Sequence, residues 1–246
     1  TKIKKIYVIG QDYSFGKAVA EAAVSMLKAK RPDIQIVGNE LHPIGKVLDF
    51  SPYVQKILAS GADAVITGNW GADMVNLAKA ANDGGLKVPF YTYYAASDGV
   101  TAAIGAAGID RIRLVHETNP GNPSAPKALG DYITGYKKVN HEGDVNQPRI
   151  NTGVNMLALA IKKAGTVDVD KVAAALEGME WTTLGGDQVV MRREDHQLQM
   201  PIYISVHTNK GITYDYDNSG FGLSLESKID RAKATQPTTC RMARPG

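Results

Sequence analysis

The sequence has little of what identifies several large classes of protein. Its single cysteine, Cys240, excludes an internal disulfide framework and a metal cluster held by cysteines, and an unpaired thiol near the terminus is the simplest interpretation. No apolar run reaches the roughly 18 residues of a membrane-spanning helix, and no segment has the charged, apolar and small-residue pattern of a secretory signal. The residues therefore predict a globular protein and do not by themselves indicate a compartment.

The chain also has no large excess of either positive or negative charge. The formal net charge is +3, and basic and acidic residues are interleaved along the chain. The cluster formed by Lys2, Lys4 and Lys5 is too short for the basic stripe that nucleic acid requires, so we do not expect nucleic acid as a partner. What the chain does have is 43% hydrophobic residues over 246 positions, which is enough for one large domain or two modest ones.

Short apolar runs alternate with helical segments over the first 116 residues. Strands are predicted at 3–9, 35–38, 63–67, 88–92 and 111–116, and helices at 14–30, 51–60, 72–82 and 97–107. Ser51 and Pro52 would supply the N-cap and first-turn proline of the second helix, and Gly84-Gly85 would end the third. Strands that alternate with helices of this length predict an α/β fold with a doubly wound, mainly parallel sheet and helices on both faces.

The pattern changes after the fifth strand. Residues 117–126 contain three prolines, as a loop or an inter-domain crossing would. Beyond this loop the sequence predicts helices at 126–140, 150–164 and 170–177, a β-hairpin of 201–206 and 211–214 around Asn209-Lys210, and a polar surface tail from 227. The second half lacks the parallel strands for a sheet of its own, so it packs on the first half or is completed by residues outside this sequence.

The stretch GQDYSFGKA at 10–18 looks at first like a phosphate-binding loop. Such a loop needs four residues between its glycines and a hydroxyl after the lysine, because backbone N–H groups wrap the phosphates and the hydroxyl holds magnesium. Five residues separate Gly10 from Gly16, Ala18 replaces the hydroxyl, and a third glycine for a dinucleotide fingerprint is lacking. Asp12 adds a carboxylate where phosphate charge belongs and is expected to cap the following helix. We therefore expect no nucleotide cofactor.

Aromatic and small polar residues follow three of the predicted strands. They are Tyr13 and Phe15 after the first strand, Asn69 and Trp70 after the third, and Tyr93 and Tyr94 after the fourth. Ligands of open α/β sheets bind beyond the carboxyl ends of the strands, and rings with a few hydrogen-bonding groups suit a small organic ligand. A single ring would more often cap the core at its own strand end. Three such turns together predict one ligand-binding rim.

Residue patterns typical of catalysis or metal binding are scarce. No H-x-x-x-H, H-E-x-x-H or G-x-S-x-G pattern occurs. The five histidines are His42, His116, His141, His196 and His207. We interpret the triplet Asp195-His196-Gln197 as a solvated turn. The sequence therefore predicts no resident metal or cofactor, and an enzyme is the weaker hypothesis.

Five segments in a fixed order carry a resemblance to a known family. They are DYSFG at 12–16, DFS at 49–51, ADAVITGNWGADMVNLAKAANDGGLKVPF at 62–90, NTGVNMLALAIKKAG at 151–165 and GGDQVVMRREDHQ at 185–197. In this order the chain resembles the periplasmic solute-binding proteins of branched-chain amino acid ABC transporters over nearly all of its length. The resemblance implies the type I periplasmic binding protein fold, a clamshell of two α/β lobes that are joined by three crossings and close on a ligand.

The resemblance also implies a division of the chain. Residues 1–118 would form the second, C-terminal lobe, 119–199 the mostly helical remainder of the first lobe, and 200–246 the return to the second lobe with the C-terminal tail. One lobe would then be complete and the other partial, because the N-terminal segment of the first lobe, with the export signal, would precede these residues. The implied location is the periplasm, and Cys240 could then pair with a cysteine in that missing segment.

The ligand-contacting positions of the family carry over one at a time. Phe15 matches the aromatic before the glycine of the first turn, with Tyr13 beside it, and Trp70 matches the aromatic after the third strand. The acid that neutralises a ligand ammonium falls at Tyr94, and Asp98 could take that role only in a loop one turn longer. An ammonium buried without a carboxylate is costly, so Tyr94 favours an amide or an aromatic or aliphatic carboxylate over an amino acid.

Two functions fit the resemblance. The first is an extracytoplasmic solute-binding protein for an ABC importer, which holds a small organic ligand between hinged lobes and delivers it to the membrane permease. The ligand would be an amino acid, an amide or an aromatic or aliphatic carboxylate. The alternative is the ligand-sensing domain of a receptor or regulator with the same fold. The first predicts one tight ligand and no turnover, and the second predicts a fused signalling domain or a ligand-dependent dimer.

Overall fold

Residues 2–122, 124–140, 144–145 and 149–243 are described by the computed structural model, in which the chain forms two compact units. The first unit is Thr1–Val115 with Ile204–Glu226, and the second is His116–Tyr203 with Ser227–Gly246. The chain therefore passes between the units three times. The assignment of these units to two lobes of a clamshell stays a prediction. His141, and Pro123 in the loop at 117–126, lie outside the described residues.

Strands and helices alternate in the first half in the predicted order. In chain order the elements are β1 (Lys5–Gln11), α1 (Ser14–Lys30), β2 (Gln35–His42), α2 (Ser51–Ser60), β3 (Ala64–Thr67), α3 (Gly71–Asp83), β4 (Phe90–Thr92), α4 (Val100–Ile104), a 3₁₀ turn (Gly105–Gly108) and β5 (Ile112–His116). They continue with α5 (Lys127–Val139), α6 (Arg149–Ala164), α7 (Val169–Leu176), β6 (Glu180–Thr182), β7 (Gln188–Met191), β8 (Leu198–Gln199), β9 (Ile202–Thr208), β10 (Gly222–Ile229) and α8 (Arg231–Ala234).

The central sheet has seven strands in the order β10-β9-β5-β4-β3-β1-β2. The pairs β1/β2, β1/β3, β3/β4 and β4/β5 are all parallel. From β1 the chain first moves to β2 at one edge, and then returns past β1 to β3 and β4 on the other side. Right-handed crossovers in opposite directions place their helices on opposite faces of a sheet. The predicted doubly wound, mainly parallel sheet is therefore confirmed.

The core of the first unit explains its apolar runs. Every residue of β1 after Lys5 is buried, which is expected for a parallel strand covered on both faces. Ile6 and Val8 of this strand pack with Ala20 of α1 and Ala64 of β3. The alanine-rich composition of α1 lets the helix lie close to the sheet.

The start of α2 differs slightly from the prediction. Phe50, not Ser51, occupies the N-cap position, and Pro52 lies in the first turn. Oδ1 of Asp49 accepts a hydrogen bond from the Ser51 backbone N–H at 2.8 Å. The carboxylate thus performs the capping that the sequence analysis gave to the serine, and the helix boundaries are as predicted.

The predicted β-hairpin around Asn209-Lys210 is wrong. The strand that follows β9 is β10, which begins at Gly222 and continues to Ile229, into the segment predicted as a surface tail. A loop separates the two strands, and Asp215 shapes it because its Oδ1 accepts the backbone N–H groups of Ser219 and Gly220, both at 2.9 Å. The prediction failed because it took the first turn-like dipeptide after β9 as the turn.

The second unit contains a small sheet that the sequence analysis missed. It has three antiparallel strands in the order β6-β7-β8. These strands contain three, four and two residues, too few for an alternating pattern to be recognised. The predicted helices α5, α6 and α7 are present, and α6 packs on α7 through Ala160, Val172 and Ala175. Within the described ranges, none of the helices is both long and apolar enough to cross a membrane.

Candidate functional site

The order of the strands locates a crevice at the carboxyl end of the sheet. β1 lies between β2 and β3, so the connections that leave β1 and β3 diverge toward opposite faces. Ligands of open α/β sheets bind at such a switch point. The residues that follow β1 and β3 are therefore the first candidates for a site. The residues that follow β4, the neighbour of β3, are the next candidates.

A tight turn connects β1 to α1. The Tyr13 backbone N–H donates to the Gln11 carbonyl oxygen at 2.9 Å, and a Cβ added to Gly16 would lie 1.9 Å from that same oxygen. Only glycine fits where the first turn of α1 approaches the end of β1 so closely. Tyr13 is the N-cap residue and makes no side-chain cap, so the predicted helix-capping role of Asp12 is wrong. The carboxylate of Asp12 instead lies 3.0 Å from Lys17 Nζ.

Five of the predicted aromatic residues form one contact chain, which we call the aromatic rim: Tyr13, Phe15, Trp70, Tyr93 and Tyr94. The Trp70 indole N–H donates to the Tyr13 hydroxyl oxygen at 2.7 Å. The Phe15 ring centre lies 6.1 Å from that of Tyr13, 6.4 Å from that of Tyr93 and 5.6 Å from that of Tyr94. Trp70 is 43% exposed and Tyr93 39% exposed, and the other three rings are half-buried. The rim thus presents aromatic surface to solvent along the ends of β1, β3 and β4.

Asn69, the sixth predicted site residue, is fully buried. Its Oδ1 lies 3.0 Å from Nε2 of His42, the last residue of β2, and its Nδ2 has no hydrogen-bond partner among the described residues. Oε1 of the buried Gln11 is likewise unpaired within the described part of the chain. Buried polar atoms without a partner are rare and often bind ordered water or ligand. Asn69 therefore belongs to a polar layer beside the rim.

Asp73 is a buried carboxylate that the sequence analysis did not identify. It is the third residue of α3 and only 2% exposed. Its Oδ2 accepts a hydrogen bond from Gln11 Nε2 at 2.7 Å and another from the Gly45 backbone N–H at 2.9 Å. The first turn of a helix also favours negative charge. Asp73 thus connects the end of β1 and the loop after β2 to the first turn of α3.

Asp98, the seventh predicted site residue, lies on an exposed turn four residues after Tyr94. Next to it, Gly99 has a φ of 72° and donates its backbone N–H to Oδ1 of Asp217 at 3.1 Å. Tyr94, which the resemblance predicts at the position of the family's acid, is half-buried, and its carbonyl oxygen accepts the Ser97 hydroxyl at 3.0 Å. The ring of Tyr94 packs on Phe15, so this turn contributes an aromatic side chain to the rim.

The triplet Asp195-His196-Gln197 has a structural role in the second unit. Arg192 Nε donates to Asp195 Oδ1 at 2.7 Å, and its Nη1 donates to the carbonyl oxygen of Gln236 at 2.6 Å. The hydrogen bonds from Arg192 hold the pKa of Asp195 well below its usual range. His196 Nε2 lies 3.2 Å from Glu177 Oε1. The interpretation as a merely solvated turn is therefore wrong, because the turn anchors the C-terminal segment.

Another charged cluster of the second unit centres on Asp187, which is 6% exposed. Its Oδ2 accepts the Tyr203 hydroxyl and its Oδ1 accepts Lys228 Nζ, both at 2.6 Å. Burial and the hydrogen bond to Asp187 raise the pKa of Tyr203 to about 12. Three segments that are distant in sequence are therefore connected through one carboxylate.

Asp187→Ala is expected to lower the free energy of unfolding by about 2 kcal/mol, because it leaves a buried hydroxyl and an ammonium without their acceptor. Chemical denaturation measures this loss. Asp187→Asn is the matched control, since the amide oxygen still accepts one hydrogen bond, and we expect about half the loss. In both variants the pKa of Tyr203 should fall below its wild-type value and stay above 10. Equal stability of wild type and the alanine variant would contradict the role of the cluster.

Within the described residues, no group of three or more histidine, cysteine, aspartate or glutamate side chains is arranged to hold a metal ion. Cys240 is exposed and unbonded in this chain. The polar and aromatic side chains at the strand ends can hold an organic molecule by ring contact and hydrogen bonds.

Comparison with known proteins identifies relatives of this chain. A model of the family described as periplasmic binding protein matches residues 1–211. Leu/Ile/Val-binding protein homolog 4 from Brucella melitensis is 32% identical over 251 aligned positions, which cover 99% of this chain and 58% of that relative. The chain thus spans less than two thirds of the length of the curated relatives it matches.

Two solved structures are similar to this one. A leucine-, isoleucine-, valine-, threonine- and alanine-binding protein from Brucella ovis, in a closed conformation, matches with a TM-score of 0.87 and 29% identity over 98% of this chain and 62% of its own. A solute-binding protein of an ABC transporter from Rhodopseudomonas palustris, in complex with 3,4-dihydroxybenzoic acid, matches with a TM-score of 0.74 and 22% identity over 94% of this chain and 61% of its own. At this lower identity the likeness shows the fold alone.

Proposed function

This chain belongs to the periplasmic binding protein family, and we propose that it captures a small organic solute outside the cytoplasm for the permease of an ABC importer. The predicted resemblance to branched-chain amino acid binding proteins and the type I fold are confirmed. The observation that supports solute capture is the aromatic rim, which lies where this topology forms its crevice. Export to the periplasm and the absence of turnover are part of the proposal.

The charges near the rim favour a ligand without an ammonium group. Asp12 is paired with Lys17, and the buried Asp73 is hydrogen-bonded to Gln11 and to a backbone N–H. At Tyr94, where the resemblance predicts the family's acid, the chain has a ring and no carboxylate. An ammonium that loses its water needs a carboxylate in direct contact. We therefore propose an aromatic or aliphatic carboxylate, or an amide, ahead of an amino acid.

A melting-temperature screen of the full-length protein tests the proposal. The panel is L-leucine, L-alanine, benzamide, benzoate, 4-hydroxybenzoate and 3,4-dihydroxybenzoate. A ligand at about 100 times its Kd adds about 2.7 kcal/mol to the free energy of unfolding, a shift of several degrees. We expect the carboxylates or the amide to give the largest shift. No shift with any compound would contradict solute capture, and a shift with the amino acids alone would contradict the ligand class.

Helix α6 has a second apolar face, which supports a proposal about the full-length protein: that polypeptide outside these 246 residues packs on this helix. Its buried stripe is Thr152, Met156 and Ala160. A separate stripe, Ile150, Val154 and Leu157, repeats at intervals of four and three residues and is 60%, 61% and 47% exposed. Surface helices normally have one apolar stripe. We propose that residues of the relatives' additional length cover the second stripe.

Val154→Gln in the full-length protein is expected to lower the free energy of unfolding by about 1.5 kcal/mol, because the proposed contact buries this side chain. Val167→Gln is the matched control, since Val167 is 80% exposed and lies outside the stripe, and its effect should stay within about 0.5 kcal/mol. Denaturant titration of both variants measures the difference. Equal effects would mean that the stripe faces water.

A further inference from the structure

The hydrogen bond between Trp70 and Tyr13 determines whether the Tyr13 hydroxyl is left to act as a donor or as an acceptor. An indole N–H can only donate, so the Tyr13 oxygen is the acceptor of the 2.7 Å contact. A tyrosine hydroxyl carries one proton, which must then point to some other acceptor. Among the described residues no acceptor receives this proton. A hydroxyl that already accepts a hydrogen bond is also a stronger donor.

Both aromatic residues stand where a helix usually has a capping residue. Tyr13 is the N-cap of α1 and Trp70 the N-cap of α3, and neither side chain makes a cap hydrogen bond. Ser, Thr, Asp or Asn at such a position usually stabilises the helix by a side-chain hydrogen bond to its first turn. The two helices thus forgo this stabilisation at the turns that follow β1 and β3. A contribution of the two rings to binding would account for it.

We infer that the Tyr13 hydroxyl donates a hydrogen bond to an oxygen atom of the ligand and that Trp70 is its positioning residue. The inference rests on the proposed function and makes it more specific: the ligand combines a flat or apolar body, in contact with Phe15, with an oxygen acceptor at Tyr13. A carboxylate oxygen and a phenolic oxygen share this chemistry. Because Tyr13 and Trp70 follow different strands, the pair holds the donor in place across the crevice before the ligand binds.

Calorimetric titration of the full-length protein and its Tyr13→Phe variant tests the inference. The probes are benzoate, 4-hydroxybenzoate and L-leucine. For a probe that the wild-type protein binds, we expect Tyr13→Phe to weaken binding about tenfold. This is the effect of losing one hydrogen bond of about 1.4 kcal/mol. If the acceptor is the phenolic oxygen, only 4-hydroxybenzoate loses affinity; if it is the carboxylate, the two aromatic acids lose affinity equally. Tyr136→Phe, which removes the same atom from α5, is the matched control and should change affinity less than twofold.

Trp70→Phe separates positioning from packing, because it keeps a ring and removes the N–H. We expect a smaller loss of affinity than for Tyr13→Phe. The double variant should lose less affinity than the sum of the two single losses, because both substitutions remove the same interaction. A wild-type protein that binds none of the probes would overturn the proposed function. A wild type that binds a probe which Tyr13→Phe binds equally well would overturn this inference alone.

Discussion

Gly16→Ala is expected to lower the free energy of unfolding by about 3 kcal/mol, or the melting temperature by roughly 6–12 °C. An alanine Cβ at this position would lie 1.9 Å from the carbonyl oxygen of Gln11 and 2.9 Å from its carbonyl carbon. Both atoms belong to the backbone, so no side-chain rotation relieves the contact. The first turn of α1 must move away from the end of β1, an interior strand that pairs with β2 on one side and β3 on the other. Thermal and denaturant unfolding measure the loss.

Gly135→Ala and Gly153→Ala are the matched controls for this prediction. Both glycines lie inside helices, α5 and α6, and an added Cβ would meet no atom within 4 Å. Alanine is the better helix former by about 1 kcal/mol, so each control should leave stability unchanged or raise it. A Gly16→Ala variant as stable as these two would show that the turn adapts easily and that the glycine is not required there.

The close approach at Gly16 also explains why the sequence could be misread as a phosphate loop. Glycine recurs wherever a helix begins tightly after a strand, whether or not a phosphate binds there. The spacing from Gly10 and the missing hydroxyl are the features by which the sequence argues against a phosphate loop. What could not be read from the sequence is that Gly16 is needed for contact with the main chain of Gln11, since this contact depends on the turn geometry.

The sheet was predictable from sequence where strands are long, apolar and followed by helices. β1, β3 and β5 were found within two residues because central parallel strands are continuous apolar runs. The second half was harder to predict. The strands β6, β7 and β8 are too short to show a pattern, and thirteen residues, including the loop at Asp215, separate the end of β9 at Thr208 from the return strand β10. Such pairings depend on contacts between distant residues.

The candidate site likewise has features that local sequence predicts and features that depend on distant contacts. Its rings were predictable because each one lies within four residues of the end of a strand, and a parallel sheet brings such residues to one edge. Gln11 and His42 at strand ends, and Asp73 in the first turn of α3, were not predicted as site residues because polar residues at such positions normally face solvent. Their burial becomes visible only when the amide of Gln11 is seen to reach the carboxylate of Asp73, 62 positions further along the chain. No local spacing encodes that contact.

Phe15→Ala is expected to weaken binding of the solute by about 30-fold, equivalent to about 2 kcal/mol, with a loss of folding stability of only about 1 kcal/mol. Phe15 is the centre of the aromatic rim, because its ring contacts Tyr13, Tyr93 and Tyr94. Its Cε1 atom also lies 3.4 Å from the position of a Cβ on Gly68, so the ring lies over the end of β3. Removing the ring opens the surface that we propose for the ligand. Titration of the full-length protein with the best compound of the panel measures the effect.

Phe221→Ala provides the matched control, because Phe221 is also half-buried in the first unit and stacks on His207 with ring centres 5.4 Å apart. It should cost similar stability and leave affinity within twofold of wild type. The comparison separates the two interpretations that the sequence leaves open for each ring. A ring that only covers the core at its own strand end contributes to stability alone, so Phe15→Ala would then behave like Phe221→Ala in both measurements. A loss of affinity well beyond the loss of stability is expected only if Phe15 touches the ligand, and unchanged affinity would remove the turn after β1 from the site.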